Sequence, residues 1–368
     1  MDSLNQLMNS LSPYFKCNKA RLYCLSAMLL ALISVRTVNL RELAVAFAGK
    51  ALLDSKHRRL RRFFSLFKID FIMIARWIFS LYISESEKIY LTIDRTNWYW
   101  GKSKINILTL AIAYEGMAIP ILWKALDKAG NASAKEHIQI IDRFIKIFGV
   151  TCIEGVLGDR EFASQELFTW CCKDNQAIPF YIRVKDNANV KIFKGKGHAV
   201  KKLFNQLNPK EHTPYMNPVT LYGTKVYVVG SRSESGELMV VVTNQAPNNA
   251  IAIYLRRWEI ETLFSCLKGR GFNFEETRLT DQDKVEKLMA VLAMATAWVH
   301  KVGEWQTEKK PIRFKKFRNG QRRPHYSYFR YGLDFLRETI LQISDRFDDF
   351  IECVALLPSK KNELEAEL

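Results

Sequence analysis

Residues 253–269, IYLRRWEIETLFSCLKG, decide how the rest of this 368-residue chain is read. They follow Pro247 and the pair Asn248 and Asn249 and close on Gly269, so start and stop signals bracket a predicted helix of about twenty residues. Within it Tyr254, Arg257, Glu261 and Lys268 are separated by three, four and seven positions. At about 100° per residue all four project within roughly 60° of one another, so one face carries a phenol, two cations and a carboxylate. Ile260, Leu263, Phe264 and Leu267 form an apolar stripe beside that face, which sets the charged groups at a buried boundary. The solvated face of an ordinary surface helix is the competing reading.

The spacing Tyr254, Arg257, Glu261, Lys268 matches the YREK signature of bacterial insertion-sequence DDE transposases, and the chain resembles the Tn-five-like group of that family. Arg257, Trp258, Ile260 and Glu261 also match the family's Arg-Trp-x-Ile-Glu core. The resemblance implies an RNase H-like catalytic core with two upstream aspartates, each at the end of a strand. It further implies that Tyr254, Arg257 and Lys268 hold the DNA backbone near the scissile phosphate. Trp258 either packs against distorted DNA or sits in the core.

Upstream, residues 88–100, 105–116 and 117–126 read as three successive strands with a turn at Glu115 and Gly116, an antiparallel meander. Asp94 stands where the first apolar run turns polar, and aspartate is disfavoured in strands. Residues 133–148 read as an amphipathic helix opened by a capping box of Ser133 and Glu136. A short apolar strand then runs into Gly158, Asp159 and Arg160, followed by a helix over 164–175 and a strand over 178–184. Three strands, helix, strand, helix, strand is the order such a core requires. Asp94, Asp159 and Glu261 are then the catalytic and metal-binding triad that the resemblance implies, with two Mg²⁺ or Mn²⁺ ions per site, since hard cations prefer oxygen ligands. Arg95 and Arg160, each beside one of these aspartates, either contact phosphate or pair within the fold.

The formal charge is +17 and unevenly spread. Residues 1–85 hold 13 Lys and Arg against 5 Asp and Glu, residues 185–202 hold 6 against 1, and residues 300–332 hold 10 against 2. Basic patches around a mildly acidic body point to a polyanion gripped at several places, DNA before an anionic membrane surface. The N-terminal patch includes a predicted helix beginning near an N-cap at Ser55, with Arg58, Arg59, Arg61 and Arg62 beside Leu60, Phe63 and Phe64. Such a helix suits a DNA groove in a helix-turn-helix-like module, or else forms a basic surface on a packing helix. Predicted helices over 19–35 and 40–47 precede it. Near the C-terminus, residues 311–332 interleave Arg and Lys with Phe and Tyr, a pattern of nucleic-acid contact surfaces or of a basic linker.

Seven cysteines without a C-x-x-C pair fit a reduced cytoplasmic protein, and by the resemblance a bacterial, nucleoid-associated one. The apolar runs 22–35 and 288–299 are shorter than the roughly 20 residues a membrane span needs and read as buried helices. The expected fold is α/β: an RNase H-like mixed-sheet core with a β-rich insertion and helical terminal regions. Its expected divisions are a helical DNA-binding region over 1–85, the first part of the core over 86–184 and the insertion over 185–246. The second part of the core, with the YREK helix, spans 247–305, and a basic, aromatic stretch with a C-terminal helix spans 306–368. The expected function is a cut-and-paste DNA transposase that cleaves at element ends and joins the 3′ ends to target DNA, by way of a hairpin in relatives. Its partners are then terminal inverted repeats, target DNA and a second copy of the chain. An inactive, domesticated DNA-binding regulator and a metal-dependent nuclease without strand transfer are the alternatives.

Overall fold

The computed structural model describes residues 3–84, 86–173, 177–192, 195–316, 320 and 322–358. The charged tail 360–368, the end of the predicted helix 164–175, and residues 317–319 and 321 of the basic, aromatic stretch lie outside the described residues.

The helices α1 (Ser3–Leu11), α2 (Lys19–Val35), α3 (Leu40–Ala46), α4 (Leu53–Leu66) and α5 (Phe71–Tyr82) precede the first strand. α2 is apolar all round and buried along most of its length, which suits a helix at the centre of a bundle. α4 turns Leu60, Phe63 and Phe64 inward and its arginines outward. It starts at Leu53, not after Ser55: the amides of Ser55 and Lys56 already bond to the Leu52 carbonyl, so Ser55 lies inside the first turn and caps nothing.

Strands β1 (Ile89–Trp100), β2 (Ser103–Ile112) and β3 (Ile119–Ala125) form the expected antiparallel meander. α6 (Ala134–Phe148) opens with the Ser133–Glu136 capping box and leads to β4 (Ile153–Gly158), which lies parallel to β1. α7 (Gln165–Cys171), capped by Ser164, leads to β5 (Phe180–Val184), parallel to β4. The segment expected to be an insertion carries β6 (Asn189–Lys191), β7 (His198–Ala199), β8 (His212–Leu221), β9 (Thr224–Arg232) and β10 (Leu238–Thr243). It does not form a separate sheet. β10 pairs antiparallel with β5, so the described strands join into one ten-stranded sheet of order β3-β2-β1-β4-β5-β10-β9-β8-β6-β7. Val240, Val241 and Val242 are buried in sequence, as a strand covered on both faces requires.

The helix predicted over 248–269 is two helices, α8 (Ala250–Leu255) and α9 (Trp258–Leu267). α10 (Gln282–Lys309) is 28 residues long, capped by Asp281, and packs against α2, α5 and β3. The ribbon β11 (Phe314–Lys316) and β12 (Arg322–Pro324) leads to α11 (Tyr328–Leu341) and α12 (Phe347–Ala355). α10 and α11 approach closely at two glycines: a Cβ at Gly303 would run into the Tyr328 carbonyl, and one at Gly332 into the Val299 carbonyl. No single described helix is long and apolar enough to cross a membrane, and the pair α2 and α3, which qualifies only jointly, bends by 101°.

Candidate active site

The break between α8 and α9 shapes the site. The amides of Arg256, Arg257, Glu259 and Ile260 bond three residues back, to Ile253, Tyr254, Arg256 and Arg257, so the chain tightens into a 3₁₀-like turn. Side-chain and backbone contacts anchor that turn to the meander. Arg256 donates to the Ala113 carbonyl at 2.7 Å and lies 5.0 Å over the Tyr90 ring, while the Glu259 carbonyl accepts from the Ala118 amide at 2.9 Å. Tyr254 and Arg257 are buried, at 1% and 4% exposure. The guanidinium of Arg257 lies 5.8 Å from the Tyr254 ring centre and donates to Glu261 Oε1 at 2.8 Å. Three of the four residues of the expected face therefore meet. Lys268 does not join them: it caps α9 at φ −88°, ψ −136°, pairs with Glu275 at 2.8 Å and lies over the Trp98 ring.

The aspartates meet through the sheet. β1 and β4 run parallel with Ile93 opposite Gly158, so Asp94 and Asp159 are the next residues on adjacent strands and leave the same face. Asp159 directly follows β4, and its Oδ1 accepts from the Arg160 amide at 2.7 Å. Asp94 lies inside β1 rather than at its end, because the polar and aromatic residues after it still find partners on β2, out to Trp100 opposite Ser103. Arg257 reaches Asp94 as well, with Nη1 3.8 Å from Oδ2, so one guanidinium links a carboxylate of β1 to one of α9. Burial pushes the Asp94 carboxyl up to about 6. The Arg95 amide and Arg257 pull it down, and the carboxylates of Glu161 and Asp159 push it up. The Nε of Arg257 is buried without a hydrogen-bond partner.

Arg95 is committed to the fold. It grips both oxygens of Glu161 at 2.8 Å and also donates to Asn106, Asn131 and the Gly130 carbonyl. Sequence reasoning passed over Glu161, although opposite charges one and two places beyond the aligned aspartates are a readable sign of a pair. Arg160 is exposed. Trp258 is 52% exposed, with Arg257 4.7 Å over its ring, so it is not a core residue. On α4, Arg58, Arg59, Arg61 and Arg62 are all exposed. Arg59 and Arg62 line a cavity of about 760 Å³ with Lys19, Arg21, Tyr23 and Phe67.

Among the described residues no three acidic, His or Cys side chains stand close enough together to hold a metal ion as they are arranged. The donor chemistry of Asp94, Asp159 and Glu261 nonetheless fits a hard divalent cation: it offers only oxygen, and Asp94 and Asp159 leave the same face of adjacent parallel strands.

Comparison with known proteins bears on this arrangement. Residues 53–298 match the family model described as Transposase DDE domain. No curated protein matches. Among solved structures the chain is similar to piggyBac transposase in a synaptic complex with hairpin DNA, determined by cryo-EM, at 11% identity and a TM-score of 0.47, over 94% of this chain and 77% of that one. The family match runs from the start of α4 into α10 and takes in both aspartates, the meander and the whole Tyr254–Lys268 segment, and on that match the chain belongs to the DDE transposase family.

Proposed function

We propose that the chain is a cut-and-paste transposase of the YREK, Tn-five-like group, with an RNase H-like core formed by β1–β5 and the flanking helices. It cleaves DNA at the ends of an insertion element and joins the 3′ ends to target DNA by hydrolysis and then transesterification. The observation that carries this reading is the side-by-side placement of Asp94 and Asp159 on parallel strands, with Glu261 tied to Asp94 through Arg257. Asp94, Asp159 and Glu261 would hold divalent cations, Mg²⁺ or Mn²⁺ and two per site, whose Lewis acidity stabilises the attacking and leaving oxygens of a phosphodiester.

The remaining roles belong to the chain itself. Arg257 presents a planar fork of donors, one of which, Nε, is buried without a hydrogen-bond partner. That fork suits a DNA phosphate drawn in beside the carboxylates it now neutralises. Tyr254 offers its ring to the guanidinium at 5.8 Å. Lys268 adds a second cation along the backbone, and the exposed indole of Trp258 offers a surface to distorted DNA. Hairpin formation on the element end and a homodimer, in which each active site takes one end, complete the proposal.

The test is cleavage of a labelled duplex carrying the element's own terminal repeat, with Mg²⁺ or Mn²⁺, by the wild type and Asp94→Ala in parallel. Metal-dependent nicking at the repeat boundary by the wild type alone supports the reading, and a strand-specific assay reports the hairpin. Specific binding with no cutting by the wild type points instead to a DNA-binding regulator.

A further inference from the structure

Side chains along β1 alternate between faces, so Asp94, Thr96, Trp98 and Trp100 share one face and Arg95, Asn97 and Tyr99 the other. Trp100 therefore lies on the Asp94 side, about 20 Å further along the strand. Trp98, between them, is buried beneath Lys268, whose ammonium is 5.6 Å from its ring, and against Phe274. Trp100 is 38% exposed and has the Arg278 guanidinium 6.0 Å over its ring. Arg278 also lines a cleft of about 420 Å³ with His57, Arg61 and Lys284, and no carboxylate is among the described residues of its walls. An indole backed by a guanidinium and continued by a basic cleft suits a base with its face uncovered and the phosphates attached to it.

We propose that Trp100, beyond the covered part of the Asp94 face, and the Arg278 cleft form one track for an unpaired DNA strand. Trp100 stacks on a base, and Arg61, Arg278 and Lys284 take phosphates. The proposal rests on DNA being the partner of the site, as above. The ring argues for an unpaired strand: within a duplex the faces of the bases are hidden by their neighbours, and phosphates alone would call for cations without an indole. The hairpin supplies its own control, because Tyr99, at 66% exposure, is the more exposed ring but lies on the opposite face with Lys104.

The experiment measures binding of the full chain, by fluorescence anisotropy, to a labelled oligo(dT) strand about 20 nucleotides long and to a blunt duplex of the same length. Trp100→Ala weakens oligo(dT) binding by at least about tenfold, Trp100→Phe keeps it within about threefold, and Tyr99→Ala leaves it unchanged. Duplex binding changes less than about twofold in all three, because it is dominated by phosphate contacts. Unchanged oligo(dT) binding by Trp100→Ala, or an equal loss in Tyr99→Ala, overturns the track. Wild-type binding to the duplex without binding to oligo(dT) overturns the track and leaves the transposase reading standing. Wild-type binding to neither probe overturns both. Thermal melting of each variant confirms that these surface changes leave the fold intact.

Discussion

Arg95 and Arg160 occupy equivalent places after two aligned aspartates, yet their surroundings give them opposite weight. Arg95 holds Glu161 in a nearly buried bidentate pair, with side-chain exposures of 9% and 20%, whereas Arg160 faces solvent. Removing one partner of a buried pair strands the other, so Arg95→Met should cost about 3 kcal/mol in urea unfolding. Arg160→Met should stay within about 0.5 kcal/mol. If the two variants unfold alike, Arg95 is not a strut of the fold. Arg256 and Arg257 divide in the same way: the first ties the helix break to the meander, and the second faces the carboxylates. His137, on α6, is buried against Phe162 with both ring nitrogens unpartnered. Burial holds its pKa down to about 4 from an ordinary 6.5, although Glu161 and Glu136 pull upward while Arg95 and Lys128 oppose them. The unfolded chain therefore binds the extra proton first. The stability this neutral ring permits is complete above about pH 6.5 and is lost as the pH falls towards 4. Between about pH 7 and pH 5 the wild type should lose roughly 1–2 kcal/mol more than His137→Leu, read from urea midpoints at both pH values. Equal losses would show that the ring is not held neutral.

Elements assembled from local signals were legible in the sequence, and those fixed by distant partners were not. Ser133 with Glu136 and Ser164 cap the helices they announce, and the alternation of residues 88–126 gives the meander. The break at Arg256 and Arg257 was hidden, because every residue from Ile253 to Leu267 suits a continuous helix; only the hold of Ala113, Ala118 and Tyr90 on the turn divides it. For the same reason the continuation of the sheet beyond β5 was hidden, since nothing in the letters of that segment says that β10 will pair with β5. At the site, the spacing of Arg257 and Glu261 was readable on its own and Asp94 and Asp159 were singled out through the resemblance, while the departure of Lys268 depended on a helix end and on Glu275. The crossing of α10 and α11 was equally silent. Gly303 and Gly332 let the two backbones touch, so Gly332→Ala forces its new methyl into the Val299 carbonyl and the helices must separate. Overpacking of this kind should cost about 3 kcal/mol or more, visible as a lowered Tm, whereas Gly320→Ala, with open space around the position, should lose much less and only through backbone strain. A Gly332→Ala protein as stable as the wild type would mean that the crossing has slack.

Across the molecule, exposed positive charge among the described residues gathers on particular elements. α4 turns four arginines outward, and the ribbon of β11 and β12 exposes Lys315, Lys316, Arg322 and Arg323. Asp94 and Glu261, by contrast, are neutralised from within by Arg257. Binding and cutting should therefore separate by mutation. Each phosphate neutralised by a protein cation releases a counterion, so the slope of log K against log salt counts such contacts at about −0.9 apiece on duplex DNA. Replacing Arg58, Arg59, Arg61 and Arg62 together by Gln should weaken duplex binding and flatten that slope by about 2–4, according to how many of the four meet phosphate at once. Asp94→Ala should leave the slope unchanged while abolishing cleavage, because it removes a carboxylate and no cation. A titration series over salt concentration on the wild type and both variants decides the matter. An unaltered slope in the arginine variant would show that the outward face of α4 does not lie on duplex DNA and would confine the surface that grips the duplex to the ribbon and the catalytic face.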